Sequence, residues 1–229
     1  MSLAEHLYTI AINEHFGKKC GCPVCSLHDM LEKNEIDAIT GAAMMEPSIR
    51  IQTNRLGFCE HHFNKMITHG KRLPVALILQ SHMEEIRTKI NSSKPDATDK
   101  YLSNLESSCY VCDKINEKMK NVYSNIVYLW KSDELFRNLF SEQPRFCLPH
   151  YRALLAASKE LGRKDRLAFC EALGEVTESS LRELSGDIDW FCKKFDYRFA
   201  KEDWKNSKDA IERTVEALTS HLPRKDSDI

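Results

Sequence analysis

Apolar residues are spaced along most of this chain as they are on one face of an α-helix. Between the few glycines and prolines they recur every three or four positions, and alternation typical of strands is not seen. The pattern predicts helices over residues 2–16, 23–40, 59–69, 73–91, 109–131, 133–140, 147–161 and 166–184, a short helix near Pro47 and a helical lead-in over 100–106. The sequence therefore predicts an all-α fold.

The order of these elements repeats once. The segment SSKPDATD, residues 92–99, is polar and contains Pro95, so we interpret it as a linker. Before it, 33 residues separate the second cysteine of CPVC from the cysteine of FCEHHF; after it, 34 separate the second cysteine of CYVC from that of FCLPHY. We expect a helical bundle of two pseudo-repeats, over 1–92 and 99–186, with a C-terminal helical extension over 187–229 that packs on the repeats.

Each copy contains one Cys-x2-Cys pair and one Cys-x2-His pair. Zinc takes four sulfur or nitrogen ligands at tetrahedral angles, and two side chains three positions apart at a helix start can reach one ion. The positive end of the helix dipole there also favours the thiolate. We therefore predict one Cys3His site within each copy, from Cys22, Cys25, Cys59 and His62, and from Cys109, Cys112, Cys147 and His150.

Zinc is the expected cofactor, with two ions per chain. Iron–sulfur is the alternative metal chemistry, because histidine ligands occur in both kinds of site and the spacing does not separate them. Buried apolar cysteines or simple disulfides are the alternative without metal. Four protein ligands would leave zinc no position for an activated water, which disfavours hydrolytic catalysis.

The C-terminal segment DIDWFCKKFDYRFAKEDW, residues 187–204, is rich in aromatic residues. Three of them recur with an isoleucine at helical spacing and are predicted to form a core stripe: Ile188, Phe191, Phe195 and Phe199. Three other aromatic residues fall off that stripe and, with two basic residues near them, could line a groove for a peptide or a small anion: Trp190, Tyr197 and Trp204, with Lys194 and Arg198. The interleaved acidic residues disfavour binding of a phosphate backbone.

Charge and composition exclude several classes of function for this protein. Lys and Arg number 33 and Asp and Glu 34, for a net charge of -1, so the basic surplus typical of nucleic-acid binding is missing. The sequence predicts no membrane span and no export signal, and nine cysteines in such a chain favour metal or redox use. We expect a cytoplasmic protein. Phosphate loops, nucleophile elbows and paired-carboxylate signatures that would name an enzyme are not found.

The motifs CPVC, GFCEHHF, CYVC and RFCLPHY, followed by WFCKKFDYRF, together resemble an uncharacterised bacterial family of helical proteins, a domain of unknown function. The resemblance covers nearly the whole chain. It implies a bacterial, cytoplasmic protein with paired metal-type motifs, and it brings no activity with it.

Three functional hypotheses follow. The first is a zinc-stabilised intracellular module for binding, adaptor or regulatory work, with a protein partner or a second copy of itself. The second is a thiol-based redox sensor, in which oxidation of Cys20, Cys22 or Cys25 releases zinc. The third is an enzyme with a site in the aromatic C-terminal segment.

Overall fold

The structure, a computed structural model, describes residues 3–92 and 94–220 of the 229-residue chain. Within these ranges the regular structure is helical, and no strand occurs. The eleven α-helices are α1 (Leu3–Gly17), α2 (Pro23–Ile39), α3 (Pro47–Leu56), α4 (Glu60–Thr68), α5 (Arg72–Ser92), α6 (Pro95–Ser107), α7 (Tyr110–Ser132), α8 (Glu134–Ser141), α9 (Leu148–Ala157), α10 (Arg163–Lys193) and α11 (Ala210–Thr219). The all-α prediction is confirmed. The predicted start of the first helix at Ser2 lies outside the described residues.

Two predicted boundaries are wrong. The presumed linker is largely helical, because α6 begins at Pro95 with Asp96 in its first turn. Proline is compatible with the first helical position and an acidic residue favours the positive helix end, so these residues start a helix and do not break one. Helix α10 continues beyond Leu184 to Lys193, with Gly174 and Gly186 inside it.

The described chain divides into two compact units that do not follow its linear order. The first unit contains the residues up to Leu27 and those from Lys120 onward, and the second unit contains His28–Met119. Each unit therefore takes chain from both sequence copies. Among the described helices, none is long and apolar enough to cross a lipid bilayer.

The core of the first unit is built around aromatic side chains. Five phenylalanines, from α1, α8, α10 and the segment before α9, are at most 1% exposed: Phe16, Phe136, Phe140, Phe146 and Phe169. The rings of Phe140 and Phe146 are 4.8 Å apart between centroids. Helix α10 packs against α8, α9 and α11 around this core. Burial of such large apolar surfaces is the main stabilising contribution here.

The second unit has a mostly aliphatic core. Helix α5 packs against α3, α4 and α6. Met66 of α4 and Ile78 of α5 are at most 1% exposed, and Val75 is also buried. This packing holds the start of α4 in place, and α4 carries one of the predicted ligand pairs.

Candidate metal centres

The first cluster consists of Cys22, Cys25, Cys147 and His150, which are all buried and all in the first unit. His150 Nδ1 lies 3.0 Å from the Cys147 sulfur, 3.3 Å from that of Cys25 and 3.7 Å from that of Cys22. The sulfurs of Cys25 and Cys147 are 3.5 Å apart. The four potential ligand atoms lie within 4.8 Å of one another, close enough to share a single ion.

The second cluster consists of Cys59, His62, Cys109 and Cys112, all in the second unit. His62 Nδ1 lies 3.2 Å from the sulfurs of both Cys59 and Cys109 and 3.4 Å from that of Cys112. The sulfurs of Cys59 and Cys112 are 3.9 Å apart. His62 and Cys109 are buried, whereas Cys59 and Cys112 are half-buried.

The structure brings together the eight predicted residues, but the predicted pairing within each copy is wrong. The Cys-x2-Cys pair of each copy meets the Cys-x2-His pair of the other copy. Helix α2 starts at the pair of Cys22 and Cys25 and runs for 17 residues, about 26 Å. The chain that follows this helix therefore begins far from that pair. The spacing along the sequence fixes the pairs, but it does not fix which pairs meet.

All four pairs occupy the same place in their helices. The first member of each pair immediately precedes the first helical residue, and the second member lies in the first turn. The carbonyl of each first member accepts the amide four positions on, at 3.3 Å for Cys22, 3.0 Å for Cys59, 3.0 Å for Cys109 and 2.8 Å for Cys147. Each cluster thus lies at the positive ends of two helices, which favours negative charge on its sulfurs.

In the first cluster the thiols compete for one negative charge. Hydrogen bonds from Cys22 and Cys25 hold the pKa of Cys147 far below its ordinary value. Burial raises the pKa of Cys22 to about 12, and the hydrogen bond to Cys147 raises that of Cys25. Burial and these hydrogen bonds therefore favour the thiolate at Cys147 over those at Cys22 and Cys25, whereas a dication at the centre would allow all three thiolates to form.

The second cluster distributes charge in a similar way. Burial opposes ionisation of Cys109, but the hydrogen bond with His62, the backbone hydrogen bonds at Cys112 and Cys59 and the charge of His62 together outweigh it and lower the pKa of Cys109 to about 6. Burial, followed by the charge on Cys109, raises the pKa of Cys112. Burial also disfavours the charged form of His62, yet its hydrogen bonds with Cys109 and Glu32 raise its pKa to about 10.

Backbone contacts fix the two helix starts of the second cluster. The amide of Tyr110 donates to the carbonyl of Gly57 at 3.0 Å, and the hydroxyl of Ser108 donates to that of Leu56 at 2.7 Å. Gly57 has φ of 59°, and a Cβ there would lie 2.9 Å from a methyl of Leu105. Glycine is therefore required where the loop before Cys59 approaches α6.

Three residues around the clusters were not predicted. The hydroxyl of Ser220 lies 2.9 Å from the Cys147 sulfur. The ring of Tyr123 packs against His150, with centroids 6.3 Å apart. Glu32 Oε1 lies 3.1 Å from His62 Nε2. Only Glu32 had a sequence signal: it is an acidic residue on the apolar side of α2, next to Leu31, and a charge so placed requires a partner.

The predicted C-terminal groove residues mostly contact their own segment. The Lys194 ammonium is buried and donates to the carbonyls of Phe199 and Ala200 at 2.8 and 3.0 Å, and to that of Glu202. The rings of Trp190 and Trp204 pack against Phe199 and Phe191. Tyr197 is exposed, and Arg198 pairs with Asp196.

The predicted core stripe in this segment is wrong at Phe195, which is 75% exposed. The reason is that α10 ends at Lys193 and the following residues form turns, so the helical spacing on which the stripe depends does not continue. Cys20, one of the cysteines named in the redox-sensor hypothesis, is exposed.

Comparisons with known proteins place the chain in a family. Neither the curated proteins nor the solved structures contain a significant match to this sequence. A family model described as "Family of unknown function (DUF6062)" matches residues 3–225, which is nearly the whole chain. That match agrees with the resemblance drawn from the duplicated cysteine motifs and the aromatic C-terminal segment. The chain belongs to this family of unknown function, DUF6062.

Proposed function

We propose that the protein binds two zinc ions, one in each cluster, and that both ions are structural. The observation that carries this proposal is the close approach of three sulfurs and one imidazole nitrogen, twice, at the starts of helices. Zn–S bonds of about 2.3 Å and Zn–N bonds of about 2.0 Å place tetrahedral ligand atoms roughly 3.5 to 3.8 Å apart. The separations given above run from 3.0 to 3.9 Å.

The same separations favour a single ion over an iron–sulfur cluster. A multi-iron cluster binds its protein ligands through different iron atoms, so those ligands must spread around the whole cluster. Here the four ligand atoms of each centre lie within 4.8 Å of one another. Tetrahedral coordination by sulfur and nitrogen is the arrangement that zinc prefers.

The proposed role of the protein is binding or regulation. A zinc ion with four protein ligands has no free position for water or substrate, so these centres would join helices without performing hydrolysis. One centre would join the starts of α2 and α9, and the other the starts of α4 and α7. The surface of the helices joined in this way would then bind a protein partner or a second copy of the chain.

Metal content together with cysteine labelling tests the proposal. We expect about two zinc atoms per purified chain by elemental analysis. The variant His150→Ala should lose one of them, because the remaining three ligands bind more weakly. Alkylation followed by mass spectrometry should then label Cys22, Cys25 and Cys147, whereas Cys59, Cys109 and Cys112 stay protected by the second ion.

The matched control is His28→Ala, which removes a histidine from α2 that belongs to neither cluster. This variant should keep both ions. Purified wild-type protein without zinc would overturn the proposal. Labelling of Cys109 and Cys112 in His150→Ala, with Cys22 and Cys25 protected, would support pairing within each copy and contradict the arrangement described here.

We propose redox-controlled zinc release as a second candidate function, because the two clusters differ in exposure. Cys59 and Cys112 are half-buried, whereas the members of the first cluster are all buried. Hydrogen peroxide and two protons could convert these two thiolates into one disulfide and two waters, and the ion would leave with its ligands lost. Their sulfurs are 3.9 Å apart, so little movement is needed.

A peroxide titration with a zinc-sensitive dye tests this candidate. At a low dose of peroxide we expect one equivalent of zinc to leave the second cluster, and mass spectrometry should find a Cys59–Cys112 disulfide. The cluster of Cys22, Cys25, Cys147 and His150 should retain its ion at that dose. The control Cys20→Ser removes the exposed thiol beside the first cluster and should release zinc at the same dose. Release of both ions together, or loss from the first cluster first, would argue against the candidate.

A further inference from the structure

Glu32 is a buried carboxylate directed at a residue of the second cluster. Its side chain is 4% exposed, and its Oε1 lies 3.1 Å from His62 Nε2. The same oxygen is 2.8 Å from Nε2 of His61, and the other oxygen forms an ion pair with Lys65. All of these partners lie on α4, whereas Glu32 lies on α2.

The proton on His62 has only one useful position if this residue binds a metal. Nδ1 faces the three sulfurs, so it must offer its lone pair to the ion. A neutral imidazole has a single N–H group, which is then at Nε2. Glu32 Oε1 is placed to accept that hydrogen bond.

We propose that Glu32 is a positioning residue for metal binding at the second cluster. It fixes the tautomer and ring orientation of His62, and by accepting the hydrogen bond from Nε2–H it makes Nδ1 a stronger donor to the ion. The inference depends on the proposed function, because it concerns how tightly one of the two centres binds zinc.

The burial of Glu32 supports this role. Removing a carboxylate from water is costly unless charged or hydrogen-bonding partners compensate for it. Lys65 supplies the compensating charge, and its side chain remains 44% exposed. A buried ion pair needs no metal-binding histidine beside it, and the contact with His62 is therefore the feature that points to the ion.

Glu35 provides a matched control on the same helix. It is also a buried carboxylate, 7% exposed, and its ion pair with the Lys118 ammonium is 2.6 Å long. Like Glu32, it is buried and paired with a lysine, but it belongs to none of the candidate metal groups in the described residues. Comparing Glu32→Gln with Glu35→Gln separates an effect on the metal from the loss of a buried charge.

The test measures zinc affinity by chelator competition on the full-length protein. In Glu32→Gln we expect one of two sites to weaken about 10 to 100-fold, the usual effect of losing an outer partner of a metal-bound histidine. Cysteine labelling during the competition should show that Cys59, Cys109 and Cys112 become reactive first. The variant Glu32→Asp, which keeps the charge but withdraws it by one methylene, should give a smaller loss.

Cobalt substitution adds a readout that a merely structural residue would not change. The visible absorption of cobalt in the second cluster should shift in Glu32→Gln and stay unchanged in Glu35→Gln. Helix content measured by circular dichroism shows that each variant is folded. If Glu32→Gln does not fold, the comparison of Glu32→Asp with wild type decides the matter.

Each result has a defined meaning. Two ions in the wild type with unchanged affinity in Glu32→Gln, or equal losses in both glutamine variants, would overturn the role of Glu32 and leave the proposed function standing. A third ion in the wild type that is lost in Glu32→Gln would make Glu32 a direct ligand and also overturn the inference. A wild type without metal would overturn the proposed function itself.

Discussion

His61 and His62 show how a single position decides which side chain reaches a cluster. His62 lies three residues after Cys59, one helical turn away, and its Nδ1 faces the sulfurs. His61 points instead to Glu32. Of the two histidines, only His62 reproduces the three-residue spacing from Cys147 to His150, and this spacing matters because each pair lies on a single first helical turn. Local geometry of this kind is readable from the sequence.

A third histidine, His82 of α5, is buried for a different reason. It is 6% exposed, and its Nδ1 lies 3.1 Å from the carbonyl of Asn54. Burial lowers its pKa below the ordinary 6.5, although the hydrogen bond to Asn54 and the charge of Glu85 oppose that shift. The folded state therefore favours neutral His82, with its N–H donated to Asn54.

This shift predicts a pH dependence of stability. Above pH 6.5 His82 is neutral in both states; as the pH falls below 6.5 the unfolded chain takes up the proton first, so stability is lost. We expect His82→Gln to lose less unfolding free energy than the wild type between about pH 7 and 5, measured by urea denaturation. Parallel curves for His82→Gln and wild type would exclude this role.

At the level of the helices, the feature that recurs is a pair of candidate ligands at the helix start. Four different helices present a Cys-x2-Cys or Cys-x2-His pair in the same two positions, so each pair is preorganised before an ion binds. The dipoles of two helices would then support the excess negative charge of three thiolates around a bound dication. The metal centres require only that two such helix starts meet.

Helix α11 is fixed next to the first cluster. Glu216 forms an ion pair with Arg145, and the two side chains are 20% and 12% exposed. Ser220, which ends the helix in a left-handed conformation with φ of 70°, contacts Cys147 through its hydroxyl. The contacts at the end of α11 therefore connect its packing to the cluster.

We expect Glu216→Gln to weaken this attachment. Loss of a charged hydrogen bond of this kind costs about 1.5 to 3 kcal/mol. Amide hydrogen exchange should speed up in α11 and much less in α5. Glu212→Gln, an exposed acid on the same helix, should behave like the wild type. Equal protection of α11 in both variants would show that the ion pair does not hold it.

At the scale of the whole molecule, each sequence copy contributes to both centres. The first unit contains Cys22 and Cys25 from one copy with Cys147 and His150 from the other, and the second unit contains the remaining pairs. Neither copy therefore holds a complete centre. That the two copies form structural pseudo-repeats stays a prediction, as do the cytoplasmic location and the nature of any partner.

The all-α class, most helix bounds and the eight candidate ligands could be predicted from the sequence, because all of these depend on periodicity, helix-start residues and spacing within one turn. Two predictions from local composition were wrong. Residues 95–99 were expected to be a linker but form the start of α6, and Phe195 was expected on a buried helical stripe but lies exposed after the end of α10.

Which pairs share a centre, and which outer residues contact them, depends on how the helices pack and could not be predicted from the sequence. Glu32 is 30 positions from His62, and Ser220 is 73 positions from Cys147. Contacts at such distances depend on how rigid helices are directed and packed, and no local pattern in the chain encodes that direction.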